Sequence, residues 1–181
     1  MFLSNQKTED SRNMKLKEVY SNNFLKSFGD KADEIANLDT DLYAVDARQI
    51  ANALGFKIKS LKEYDYAQLV PKNVIYLSSI DNSVSQNVDI GLQIADRLWN
   101  QKPTHEFLNT NDEVTVHFAQ NLLIPTALLS VAIGHYLKVN NIYSLAQITP
   151  DDVIKNVASI MNVEIGFMQQ RMLNLKLIET Y

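Results

Sequence analysis

Cysteine is absent from the 181 residues, and histidine occurs only as His105, His117 and His135. Without cysteine there can be no disulfide framework, thiolate zinc site, iron–sulfur cluster or cysteine nucleophile. The same absence fits a reducing compartment, and the expected localisation is cytoplasmic. No two histidines stand three, four or five residues apart. Long apolar runs are missing too. Met1-Phe2-Leu3 passes at once into Ser4-Asn5-Gln6-Lys7-Thr8-Glu9-Asp10, which lacks the apolar stretch of a signal peptide. The longest apolar zone, residues 121–139, is interrupted by Pro125, Gly134 and His135 and falls short of a bilayer span. No membrane partner is therefore expected. A net charge of −4 is too mild for an acidic tail, and its sign disfavours a general nucleic-acid coat. Glycine-rich phosphate loops and the G-x-S-x-G nucleophile elbow do not occur.

What remains is an ordinary globular composition, 46% hydrophobic and 21% charged, with enough apolar mass for a real core. The length suits one domain, or one domain with a small appendage. Residues 1–14 are largely polar and expected to be disordered. From 15 to 36, Val19, Phe24, Leu25, Phe28 and Ile35 recur near helical spacing and predict an amphipathic helix. Asp46 is placed to start a short helix over 47–54, with Gly55 as the residue that ends it. Residues 56–61 alternate apolar and polar like a half-buried strand, and 74–78 form a second strand candidate. Helices are then predicted over 90–99, over 112–123 with Asn111 as cap, and over 126–137 beyond Pro125. Thr149 and Pro150 open a last unit in which helix 151–161, the turn Asn162-Val163 and helix 164–175 have helix-turn-helix spacing.

The order of these pieces resembles the ImmA/IrrE family of zinc metallopeptidases, which are associated with prophages, mobile elements and stress regulation. Ile50-Ala51-Asn52-Ala53-Leu54-Gly55-Phe56 is similar to the short helix that ends in Leu-Gly ahead of two strands in that family. Glu113-Val114-Thr115-Val116-His117-Phe118-Ala119-Gln120-Asn121-Leu122-Leu123-Ile124-Pro125 resembles its pattern Glu-x-x-Ala-Asn-x-Phe-Ala-x-x-Leu-Leu-x-Pro. Phe118-Ala119, followed by Leu122-Leu123-x-Pro125, is the most specific part. The resemblance covers roughly residues 46–178. It implies an α+β, zincin-like metallopeptidase fold with a small sheet and several helices over 1–138, and a helix-turn-helix-like unit over 139–181.

The departure from the family falls on the chemistry. Laid on His-Glu-x-x-His, the helix here has Leu92 for the first histidine, Gln93 for the glutamate and Asp96 for the second histidine. The motif works because histidines at i and i+4 share one helical face and one zinc, while a glutamate deprotonates the bound water. Leu92 has no donor atom, and the Gln93 amide cannot accept a proton near neutrality. Glu113 matches the third family ligand and is kept. A remodelled site of Asp96, Glu113 and His117 can be drawn on paper, Glu113 and His117 being four apart. The plainer reading makes Asp96 and Glu113 ordinary polar residues and gives His117 a structural hydrogen bond. Zinc is expected to be lost, with no other cofactor. His105 reads as a solvated loop histidine, and His135 as a packed histidine with its polar edge satisfied.

The C-terminal unit allows a DNA-binding reading through Gln169, Gln170, Arg171, Asn174 and Lys176. Its second helix opens Glu164-Ile165-Gly166-Phe167, acidic and apolar where a groove-entering end would be basic. Packing against the domain or a partner is favoured, with Ile160, Val163, Phe167, Leu173 and Leu177 as core. The expectation is a catalytically inactive, metallopeptidase-like protein that binds a protein partner, a helix-turn-helix repressor of a prophage or mobile element. An active peptidase with a remodelled metal site and a DNA-binding regulator are the alternatives.

Overall fold

The computed structural model describes residues 14–61, 73–79, 81–99, 112–143 and 148–179. Residues 1–13, His105 with its neighbours, and Asn111 lie outside them. The fold is mixed α+β.

Where periodicity predicts one helix over 15–36, the chain makes three short ones: α1 (Leu16–Val19), α2 (Asn22–Lys26) and α3 (Ala32–Ala36). The apolar residues are placed as expected, but hydroxyls and a glycine interrupt the backbone. Ser21 accepts a hydrogen bond from the Phe24 amide and starts α2 afresh, and Ser27 donates to the Phe24 carbonyl. Gly29 has φ +59°, a conformation that costs other residues about 1 kcal/mol or more. The resulting corner stacks Phe24 on Phe118 with centroids 5.0 Å apart, and the buried Tyr20 hydroxyl donates to the Leu122 carbonyl. Two-residue strands β1 (Met14–Lys15) and β2 (Asp39–Thr40) close this segment antiparallel.

Helix α4 (Ala47–Ala53) starts as expected, with Asp46 accepting from the Arg48 amide. Gly55, at φ +83°, turns the chain into β3 (Lys57–Leu61), which pairs in parallel with β4 (Val74–Ser78). Helix α5 (Ser83–Trp99) begins seven residues earlier than the periodicity suggests. Asn82 explains this by accepting from the Val84 and Ser85 amides and capping the extra turns.

Helix α6 (Glu113–Leu123) is capped by Asp112, whose carboxylate accepts from the Thr115 amide, so the cap lies one residue beyond the expected Asn111. Pro125 then turns the chain by 57° into α7 (Thr126–Val139). Helix α8 (Pro150–Ile160) is capped by Thr149, and Asn162, at φ +54°, turns it into α9 (Ile165–Asn174). A single cluster of buried side chains runs from Leu16 to Met172 and passes through both sides of position 139. The C-terminal pair thus shares the core of the preceding residues, with Val163 and Phe167 inside it and Leu177, expected there, exposed. Among the described residues no single helix is long and apolar enough to cross a membrane.

Close packing of α5 on α6 depends on Gly91. A Cβ there would lie 2.7 Å from Cδ1 and 3.1 Å from Cγ of the fully buried Leu123. Gly91→Val is expected to destabilise the protein by about 2–3 kcal/mol through overpacking. Thermal unfolding of Gly91→Val, Leu123→Ala and the double variant checks this. The double variant should cost at least about 1 kcal/mol less than the sum of the singles; simple additivity would place the strain elsewhere.

Candidate functional site

The helix that should carry the metal-binding motif is α5, and Gln93 sits on its inner face, 5% exposed. The opposing element is β4. In the parallel ladder, Lys57 donates to the Asn73 carbonyl, so alternation turns Ile75 and Leu77 toward β3 and Tyr76 away from it. Gln93 fills that outward edge. Its Nε2 donates to the Tyr76 carbonyl at 2.7 Å, and its Oε1 accepts from the Tyr76 amide at 3.3 Å. One carboxamide thus makes the reciprocal pair that a neighbouring strand would make. Arg97, one turn on, extends the seal. Its guanidinium donates to the Val74 carbonyl at 2.6 Å and to the Gln93 carbonyl at 3.0 Å, and it lies over the Phe56 ring. Burial lowers the Arg97 pKa, and the nearby Asp96 carboxylate opposes that shift.

The other positions of the expected motif do different work. Leu92 packs partly buried against the core. Asp96 is half-buried beside Arg97. Glu113 and His117 are both exposed on α6, and the His117 carbonyl accepts from Asn121. No group of three or more histidine, aspartate or glutamate side chains among the described residues could hold a metal ion. His135 has its Nδ1 2.9 Å from the Tyr43 hydroxyl, with the two rings 4.5 Å apart.

Of the residues proposed from sequence for DNA contact, Arg171 alone is buried. Arg171 is 2% exposed and points inward, where it holds the α6–α7 corner. Its Nε donates to the Ile124 carbonyl, and its terminal nitrogen donates to Asn121 Oδ1 at 2.9 Å and Thr126 Oγ1 at 3.4 Å. These carbonyl and amide oxygens at the end of α6 supply the negative pole that a buried cation needs. Burial lowers its pKa. Asn174, exposed at the end of α9, donates to Oε1 of the fully buried Gln120 at 3.0 Å. Arg171 is not presented for reading bases, and Asn174 is exposed with its amide engaged by Gln120; Gln169, Gln170 and Lys176 are exposed as well.

A separate polar cleft of about 400 Å³ lies at the start of α5, lined by Asp41, Asp46, Arg48, Gln86, Asn87 and Asn162 among others. None of the metal-site or DNA-contact candidates from the sequence lines it. Its buried wall is organised by Asn87, which accepts from the Ala47 amide and donates to the Val45 and Asn162 carbonyls. The only sequence signal for this role is an asparagine on the apolar stripe of α5. Nearby, the Asp89 pKa is raised, first by burial and then by Asp81 and Glu164. An acid with a raised folded-state pKa is stabilised by protonation. Stability is therefore fullest below its ordinary value of 3.8 and falls as pH rises through the folded pKa. Asp89→Asn is expected to raise the unfolding midpoint at pH 7 and to lose that advantage near pH 3.5 (roughly, given the reference range). An equal effect at both pH values would contradict the assignment.

Compared with known proteins, the chain matches no family model, and no curated protein and no solved structure matches it.

Proposed function

We propose that this chain is a catalytically inactive, metallopeptidase-like protein that works by binding a protein partner, a helix-turn-helix repressor of a prophage or mobile element. The observation that carries the reading is the commitment of Gln93 to the Tyr76 backbone. At the position where a peptidase of the ImmA/IrrE type needs a proton-accepting carboxylate, the side chain closes a sheet edge instead. An amide so engaged cannot deprotonate a water. Leu92 offers no metal donor, and Glu113 and His117 face solvent. Such a scaffold can retain recognition while losing hydrolysis, because fold and chemistry are separable.

The binding surface is assigned to α5, α6 and the α8–α9 pair, from which Trp99, Val114 and Ile165 expose large apolar side chains. No zinc or other cofactor is required by this reading. It also needs no DNA contact, and the inward Arg171 supports that simplification. The test is anisotropy of labelled operator DNA bound by the repressor encoded beside this chain. Adding the full chain should release the repressor at micromolar concentration and form a stoichiometric complex with it. Operator binding left unchanged, with no complex, would reject the proposal.

A further inference from the structure

The two edges of the β3–β4 sheet are treated oppositely. The β4 edge is sealed by Gln93 and Arg97. On β3, Lys57 faces β4, so alternation directs the amides and carbonyls of Ile58 and Ser60 outward. Among the described residues no strand pairs with that edge. Ser60 is exposed, and so are Lys57 and Lys59, which stand two apart and hence on one face of the strand. Unpaired edges are templates for strand addition, and side chains along them decide what can add. A second copy pairing through β3 would bring its own lysines against these two, which disfavours self-association. Carboxylates at alternate positions of an added strand would meet them favourably.

We infer that the outer edge of β3 is a docking site for an extended, acidic peptide segment of a partner protein, held by the outward backbone groups of Ile58 and Ser60 and selected by Lys57 and Lys59. The inference does not depend on the function proposed above. The partner contributes one strand, and the sheet grows from two strands to three.

The test uses the full-length chain and two soluble peptides, one alternating glutamate with threonine and one alternating lysine with threonine. Amide resonances of the protein are followed during titration. The glutamate peptide should shift Ile58 and Ser60 and slow their hydrogen exchange, and its affinity should fall as salt is raised. Replacing Lys57 and Lys59 by glutamate should weaken that peptide at least about tenfold and transfer preference to the lysine peptide. Ser60→Pro removes an outward donor without touching the β3–β4 ladder. It should abolish binding while the Lys59 amide stays protected and the unfolding midpoint is kept. Three results would overturn the inference: no shift at Ile58 and Ser60 up to about 1 mM peptide, equal affinity for both peptides, or unchanged binding by Ser60→Pro. A dimer of the chain that Ser60→Pro dissolves would assign the edge to a second copy and would equally overturn it.

Discussion

Gln93→Glu is expected to destabilise the protein by about 1–3 kcal/mol at pH 7, the cost of a buried acceptor losing its donor. Gln93 donates to the Tyr76 carbonyl and accepts from the Tyr76 amide. An ionised glutamate keeps the second bond and turns the first into two oxygens facing each other. Arg97 Nη1 donates to Gln93 Oε1 at 3.3 Å and would offset part of the new charge. The guanidinium cannot supply the donor that the Tyr76 carbonyl loses, being held by the Val74 and Gln93 carbonyls as well. Burial and the facing Tyr76 carbonyl raise the folded-state pKa of such a carboxyl, and the Arg97 guanidinium offsets part of that rise. The defect should therefore be smallest below about pH 4, near the unfolded glutamate value of ~4.3, where the protonated acid can again donate to Tyr76. It should grow as pH rises through the folded pKa. Gln93→Leu should show a comparable loss with no pH dependence. Chemical denaturation of the three proteins at several pH values checks this. A glutamate variant as stable as the parent at pH 7 would show that Gln93 is not the seal of the β4 edge.

Arg171→Met should cost about 2–4 kcal/mol, and Arg171→Lys should not restore it. Methionine removes the expense of burying a cation, yet it leaves the Ile124 carbonyl, Asn121 Oδ1 and Thr126 Oγ1 without their donor. Lysine supplies one point charge where the guanidinium spans three acceptors on two helices. The loss should appear in the unfolding midpoint, and salt-dependent duplex binding should not distinguish parent from variant. Unchanged stability with a loss of DNA binding would reverse that assignment and return α9 to the role of a recognition helix.

Local signals were legible where a single side chain decides the backbone. Asp46 as cap of α4, Gly55 after it, Pro125 at the α6–α7 turn and Thr149-Pro150 at the start of α8 are each written in one or two residues. The broken N-terminal helix was not legible from apolar spacing. Spacing reports which face is buried, and Val19, Leu25, Phe28 and Ile35 are buried whether the backbone is continuous or not. Ser21 and Gly29 carried the missing information. At the site, sequence pointed to position 93 and to the loss of a base there, but not to what the amide does. That depends on β4 lying alongside α5 with Tyr76 facing outward, a matter of strand register set far along the chain. Arg171 shows the same limit. Its charge suggested an outside partner, and the acceptors that bury it come from residues about fifty positions earlier.

The proposed function requires that this chain bind a repressor without cutting it. This is tested by intact-mass spectrometry of a mixture of the full chain, the proposed helix-turn-helix repressor partner, and zinc. The repressor should keep its mass and be recovered in a stoichiometric complex whether or not a chelator is present. Repressor fragments that accumulate with zinc and vanish with the chelator would contradict it.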